Sequence, residues 1–201
     1  MIKCNVTVIG TVSREGRIMT DNSGRSFIAF GLQTVLQAKS GINKTLDISV
    51  ALDPQQHQAV DFAPGTRVRI KGVLTFRKRE NILYHNLSAN EVEFGISEQD
   101  SISGTMSFRG TLGSKEILEK QGKKGSYRIF DAFSSEKVNE SNYAYTWVHF
   151  IDFTAERPQW LVPKVGIDAE GELELSVFND RETLACRITS LSLWNKNTTN
   201  Q

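Results

Sequence analysis

The sequence repeats itself at an offset of about 100 residues, and this internal repeat constrains its fold more than any other feature. Gly10-Thr11-Val12 recurs as Gly110-Thr111-Leu112, and Gly72-Val73-Leu74 recurs as Gly171-Glu172-Leu173. Such self-similarity indicates that one structural unit occurs twice, each copy having a common size for a small domain. We therefore predict two tandem domains and a frayed polar tail, over residues 1–97, 98–195 and 196–201.

Apolar and polar residues alternate with period two in five segments of each half, a pattern that predicts half-buried β-strands. In the first half these segments are 5–12, 26–35, 45–52, 67–76 and 83–94. In the second half they are 101–113, 126–135, 143–153, 171–178 and 184–194. Charged and small polar residues at 14–17 and 21–24 predict turns.

A segment without alternation separates the third and fourth strands of each half. In the first half Asp53 can cap a short helix that begins with Pro54. Residues 154–161 stand in the same place in the second half, where Pro158 limits a helix to a turn or two. Five strands with such a helix match the OB-fold, a partly open barrel that binds oligonucleotides or oligosaccharides. We predict an all-β protein of two tandem five-stranded OB-fold barrels, each with a short helix between strands 3 and 4.

The composition is that of an ordinary globular protein without an overall basic excess. The 201 residues are 39% hydrophobic and 23% charged, with a formal net charge of +1. Residues 1–98 contain 12 Lys and Arg against 9 Asp and Glu, a net charge of +3, whereas the remaining 12 against 14 give −2. Twelve of the eighteen aromatic residues lie in the second half. Any nucleic-acid surface is therefore local.

The cysteine and histidine content argues against disulfide and metal chemistry. Two cysteines, Cys4 and Cys186, are too few for a disulfide framework, and three histidines form no zinc-ligand spacing. We expect no metal, no cofactor and a reducing, cytoplasmic compartment. The first residues lack a signal-peptide pattern, and no apolar run approaches the roughly 20 residues of a membrane span, so we expect no export and no membrane partner.

The third strand of the second half, Tyr143 to Phe153, is aromatic on both faces. Strand geometry puts Val148 and Phe150 on one face, while Trp147 shares the other with Tyr145, His149 and Phe153. If one face is core, the opposite face holds a row of rings in water, which favours a flat partner such as nucleic acid bases. A strand sandwiched within a core is the alternative.

Basic residues concentrate on the fourth strand of the first half and on the hairpin tip that follows it. Arg67, Arg69 and Lys71 point outward together by alternation. Beyond them lie the tip residues and one aromatic residue, namely Arg77, Lys78, Arg79 and Tyr84. This cluster is either a solvated edge or a track for phosphates.

The order of these motifs resembles the bacterial and phage single-stranded DNA-binding protein (SSB) family in a tandem OB-fold form. The second half is similar through Arg109–Leu112, Trp147–Phe153 and Gly171–Leu175. The first half is similar through Val8–Val12, Pro64–Leu74 and Ala89–Phe94. Together the two matches cover most of the chain.

The resemblance implies which residues contact DNA. In that family, outward aromatics at the start of the third strand and six residues later stack on bases, and Trp147 and Phe153 occupy those places. We add further candidates for stacking, namely Tyr145, Tyr127, His149 and Tyr84. Candidates for phosphate neutralisation are Arg67, Arg69, Lys71, Arg77, Lys78, Arg79, Arg109, Lys123, Lys124 and Arg128.

The chain also departs from the family pattern. In the first half the equivalents of Trp147 and Phe153 are Asp47 and Asp53, so the stacking pair is absent. Either the two halves divide the labour between a basic track and stacking platforms, or the first half serves self-association. The acidic tail with a hydrophobic tip, which family members use to recruit other proteins, is missing from residues 195–201.

Two functions remain open at this point. The first is sequence-independent binding of single-stranded DNA in replication, recombination or repair, by a homodimer that assembles four OB barrels and contacts replication or recombination proteins. The second is a tandem OB-fold interaction or assembly module whose aromatics form a subunit or partner interface. No catalytic constellation is recognisable, so we do not expect an enzyme.

Overall fold

The computed structural model describes residues 1–38, 42–55, 57–79, 82–123, 125–139, 142–154, 156–178 and 181–195. It confirms an all-β protein. The strands are β1 Ile2–Thr20, β2 Ser26–Leu36, β3 Lys44–Leu52, β4 Arg67–Arg79, β5 Ile82–Phe94, β6 Ser101–Leu112, β7 Leu118–Gly122, β8 Gly125–Lys137, β9 Tyr143–Asp152, β10 Gly166–Phe178 and β11 Arg181–Leu193. No helix within these ranges has the length and apolar character that a membrane span requires.

The described residues fall into two compact units. The first unit comprises residues 4–104 with 176–178 and 181. The second unit comprises residues 1–3, 105–175 and 182–195. The domain limits derived from the repeat, at residues 97 and 195, stay a prediction.

The strands of the first unit form a ring. Their order is β2-β3-β5-β4-β1, and β1 also pairs with β2. The β3–β5 pair is parallel, whereas β2–β3 and β4–β5 are antiparallel hairpins. Alternate side chains point into the ring, so Ile28, Ile48 and Leu74 are at most 1% exposed. The turn predicted at 14–17 is wrong: these residues lie within β1, where register shifts bend the strand without ending it.

The second unit repeats this arrangement and adds one strand. Its order is β6-β10-β11-β9-β8, closed by a β6–β8 pairing, with β9 and β11 parallel. The added strand β7 pairs with β8 as a hairpin. Four of its five residues are exposed, so it lacks the alternation by which the other strands are recognised in the sequence.

The repeated glycines have the same structural role in both units. A Cβ on Gly10 would clash with the carbonyl oxygen of Gln33, and one on Gly110 with that of Phe133. Likewise, the backbone carbonyl of Ser88 lies against Gly72, as that of Arg187 lies against Gly171. The recurring motif therefore marks places where one strand passes close to the backbone of its neighbour.

The connection between the third and fourth strands differs between the units. In the first unit it holds a three-residue 3₁₀ helix, Ala59–Asp61, whose N-cap is Gln58 and not Asp53. The Gln58 N–H donates to the Asp61 carboxylate at 2.8 Å. In the second unit, residues 153–154 and 156–165 contain turns and no helical residue, in a stretch where Pro158 and Pro163 supply no N–H donors. A short helix in both units is thus not confirmed.

Candidate nucleic-acid interface

The two faces of β9 differ sharply in exposure. Val148 and Phe150 are at most 1% exposed and pack in the interior of the second unit. Tyr145 and Trp147, on the opposite face, are 46% and 51% exposed. Within its unit, β9 is therefore a half-exposed strand and is not sandwiched in a core.

Pairing with β8 extends this exposed face. The register sets Phe133 opposite Trp147, and their ring centroids are 5.0 Å apart. Phe133 also contacts Tyr145 edge-on, with centroids 5.4 Å apart. We call Phe133, Tyr145 and Trp147 the Trp147 cluster. Phe133 was not among the residues predicted from the sequence, although the alternation of β8 puts it on the same face as Tyr127.

A second pair of rings lies at the other end of the face. Tyr127 and Phe153 stack with centroids 5.4 Å apart, and Phe153 is 54% exposed. The Arg187 guanidinium lies 5.9 Å from the Phe153 ring centroid. We call Tyr127 and Phe153 the Phe153 pair. Phe153 follows Trp147 by six positions, which is roughly 20 Å along an extended chain.

Polar and aliphatic residues fill the space between the two ring groups. His149 lies opposite Asp131 in the register, and its Nδ1 is 2.8 Å from the Asp131 Oδ1. The next pair of this ladder is Ile129 with Ile151. The face is thus a continuous ladder with rings at both ends and an ionisable pair between them.

Arg128 does not belong to this exposed face. Its side chain is 6% exposed and donates to the Asp152 carboxylate at 2.9 and 3.1 Å, while Asp152 itself is fully buried. A further hydrogen bond reaches the Thr154 carbonyl at 2.7 Å. Because alternation directs Arg128 inward, we correct the prediction that it neutralises phosphate.

The outward basic row of the first unit is neutralised by acidic neighbours. Arg67 pairs with Asp100, Arg69 pairs with Glu93 and Glu98, and Lys71 donates to Glu91 at 2.7 Å. The hydrogen bond to Glu91 raises the pKa of the Lys71 ammonium, and that to Glu93 raises the pKa of Arg69. The charges of these cations are therefore already balanced by acidic side chains when no phosphate is bound.

Arg109 of the second unit is compensated in the same way. Its guanidinium donates to Asp168 at 2.5 and 2.9 Å and lies 5.9 Å from the Trp194 ring centroid. It therefore serves cross-strand pairing between β6 and β10, where Arg109 and Asp168 are register partners.

The hairpin of β4 and β5 carries basic residues of a different kind. Arg77 lies opposite Tyr84 and Arg79 opposite Ile82, so these four side chains share one exposed face. Within the described residues, Arg77, Lys78 and Arg79 form no ion pair. Lys123 is exposed in the turn between β7 and β8, and Lys124 lies outside the described residues.

No group of three or more His, Cys, Asp or Glu side chains among the described residues is placed to hold a metal ion. The Cys186 thiol is buried, which raises its pKa to about 12 and keeps it protonated at neutral pH.

The two rings of strands and the half-exposed β9 define an all-β fold similar to that of OB-fold proteins. Along 98% of its length this chain is similar to wild-type single-stranded DNA-binding protein from Thermus aquaticus, with 94% of that chain covered, 16% identity and a TM-score of 0.50. A deletion mutant of the same protein gives 17% identity over 98% of this chain and 95% of that one, with a TM-score of 0.47. The N-terminal domain of PriB from Thermoanaerobacter tencongensis covers 46% of this chain and 98% of its own, at 22% identity and a TM-score of 0.32. No protein-family model and no curated protein sequence matches this chain.

Proposed function

We propose that this protein binds single-stranded DNA without sequence specificity, with bases stacked on the Trp147 cluster and the Phe153 pair. The observation that carries the proposal is the exposure of these rings on a face that the fold does not require to be aromatic. The first unit has the same strand register but places Gln33 and Asp47 where the second unit has Phe133 and Trp147. The rings are therefore there for a ligand or for another protein.

Stacking accounts for the expected lack of sequence specificity. Every base has a π-face, and each base stacked on an aromatic side chain contributes about 1–3 kcal/mol. Two ring groups separated along one face suit an extended strand better than a single small ligand. Tyr145 and His149 complete the proposed stacking surface in the second unit, and Tyr84 is the stacking candidate of the first.

Phosphate neutralisation is assigned to cations that lack acidic partners among the described residues. These are Arg77, Lys78, Arg79 and Lys123, whereas Arg67, Arg69, Lys71 and Arg109 contribute less because they are already paired. The resulting affinity falls as salt rises, because bound phosphates release counterions.

The fold likeness to the single-stranded DNA-binding protein of Thermus aquaticus supports this proposal, since it covers nearly the whole chain. Action in replication, recombination or repair, a cytoplasmic location and contacts with proteins of those processes belong to the same proposal.

The test is titration of the free protein with oligo-dT while tryptophan emission is recorded. We expect quenching that saturates, and an affinity that weakens with salt. Trp147→Ala should remove most of the quenching and weaken binding by about 1–3 kcal/mol. Val138→Ala, which shortens a 51% exposed apolar side chain that belongs to neither ring group, is the matched control and should bind like wild type. Unchanged emission and no retention of single-stranded DNA would contradict the proposal.

We further propose that the protein is a homodimer, so that two chains supply four OB-type units. Light scattering coupled to size exclusion measures this directly. If Trp147→Ala dissociated the oligomer and left DNA affinity unchanged, the aromatic face would be a subunit interface, as in an assembly module.

A further inference from the structure

A cleft of about 640 Å³ opens beside the Trp147 cluster within the second unit. The cleft is lined by Trp147, by the His149–Asp131 pair and by Glu182–Leu184. Gly113, Ser114 and Lys115 also line it. This volume lies in the range of small-molecule sites, so the cleft is large enough for a flat ring.

The backbone at Gly113 shapes the cleft. Its N–H donates to the Asp131 carbonyl at 2.8 Å, and a Cβ at this position would stand 3.2 Å from Cζ3 of Trp147. The glycine therefore lies directly against the edge of the indole and fixes one side of it, while half of the Trp147 side chain stays open to solvent.

The equivalent place in the first unit is filled. There Arg14 pairs with Gly31 in the register, and a Cβ on Gly31 would stand 2.7 Å from the Arg14 Nε. The Arg14 guanidinium continues across this spot to the Ser49 hydroxyl at 3.5 Å. At an offset of 100 residues the second unit has Ser114 in place of Arg14, Asp131 in place of Gly31 and His149 in place of Ser49. The open cleft and its ionisable lining residues thus belong to the second unit and are not dictated by the fold.

The Asp131 carboxylate gives the lining of the cleft an acceptor for N–H donors. The Asp131 Oδ1 is engaged by His149, and its other carboxylate oxygen has no hydrogen-bond partner among the described residues. The Asp131 side chain is 43% exposed, so this oxygen is accessible. An ionised carboxylate only accepts hydrogen bonds, and Asp and Glu characteristically accept from the exocyclic amino group of cytosine.

We propose that this cleft is a base-selective subsite in which a nucleobase stacks on Trp147 and donates its exocyclic amino group to Asp131. The inference rests on the proposed function and deepens it: binding along the strand is sequence-tolerant, whereas this one position prefers an amino-bearing base. Cytosine offers its N4 amino group here. Uracil has a carbonyl oxygen at the same ring position, which a carboxylate repels.

The experiment compares oligo-dC with oligo-dU of equal length, because these pyrimidine strands share one backbone and lack the thymine methyl group. Affinity is measured by quenching of tryptophan emission at fixed salt. We expect oligo-dC to bind roughly tenfold more tightly, as a hydrogen bond to a charged acceptor provides. Asp131→Asn should bring the ratio close to one, because an amide accepts from cytosine through its oxygen and donates to uracil through its nitrogen.

Two further variants separate the assigned role from general effects. Glu119→Gln removes one negative charge from β7, outside the cleft, and should strengthen binding of both oligonucleotides equally while keeping their ratio. Ser114→Arg should fill the cleft as Arg14 does in the first unit and abolish the preference, which tests the subsite even if Asp131→Asn does not fold.

The outcomes distinguish the two levels of the proposal. Equal quenching and equal affinity for both oligonucleotides in the wild type would overturn the subsite and leave single-stranded DNA binding standing. A preference for oligo-dC that survives both Asp131→Asn and Ser114→Arg would also overturn it. Absence of quenching and of binding with either oligonucleotide would overturn the proposed function and the subsite together.

Discussion

The two units of this protein share a strand register and differ in the side chains that the register places outward. Where the first unit pairs Gln33 with Asp47 through a 2.8 Å hydrogen bond, the second packs Phe133 on Trp147. The comparison shows that the fold depends on inward residues and on the paired glycines. The outward residues can therefore change without changing the fold, and in the second unit they are aromatic.

A second difference lies in the interior. The buried cross-strand pair Ile28–Leu52 of the first unit corresponds to the ion pair Arg128–Asp152 of the second. The same position therefore accepts either an apolar pair or a charged pair, provided that both partners change together.

The largest effect is expected from breaking that ion pair. Asp152→Ala leaves Arg128 buried without its carboxylate and should lower the free energy of unfolding by about 3–5 kcal/mol. The double variant Arg128→Ile with Asp152→Leu copies the pair of the first unit and should unfold within about 1 kcal/mol of wild type, or above it. Urea unfolding measures the free energy of unfolding of the single and the double variant. A double variant as unstable as Asp152→Ala would show that the two interiors are not interchangeable.

Exchange of the outward pairs should change DNA affinity and leave stability nearly unchanged. Gln33→Phe with Asp47→Trp gives the first unit a copy of the Phe133–Trp147 contact and should tighten binding of oligo-dT by about 1–3 kcal/mol. Phe133→Gln with Trp147→Asp should weaken it by at least as much, because it also adds a negative charge. Equal affinities for wild type and both exchanged proteins would show that the rings do not contact bases.

The smallest effect concerns the salt dependence of binding. Arg77→Ala should reduce the slope of log affinity against log salt by about 0.7, the value for one phosphate contact on a single strand. Arg69→Ala should change the slope less, because Glu93 and Glu98 already compensate this guanidinium. A larger change of the slope for Arg69→Ala than for Arg77→Ala would contradict this assignment. It would favour the row of Arg67, Arg69 and Lys71 as the surface that contacts phosphates.

Much of the fold could be predicted because local patterns of the sequence determine it. Among the residues that the structure describes, alternation located ten of the eleven strands, and the repeat located the glycines that contact neighbouring backbone. The strand β7 was not predicted because Leu118 is exposed and the residues that follow it in the strand are not apolar, so burial imposes no alternation on β7. The sequence predicts a turn at 14–17, where β1 only bends, because register shifts have no distinctive sequence pattern.

The site was harder to predict because its electrostatics depend on partners distant in sequence. Lys71 is compensated by Glu91, and Arg128 by Asp152, and only the register of the folded strands brings these residues together. Phe133, by contrast, could have been found by extending the alternation of β8 from Tyr127. Pairs across a sheet can be proposed from sequence only after both strands and their relative register are known.

The parallel pairings within each ring also bear on how the chain folds. Hairpins such as β4–β5 bring together residues close in sequence, but Ile48 meets His85, and Phe150 meets Cys186, only across more than 30 intervening positions. Closing such long loops costs entropy before any contact compensates for it. We therefore expect each unit to form its hairpins early and to be limited in rate by the long-range pairings of its ring, such as β3 with β5, β9 with β11 and β6 with β10.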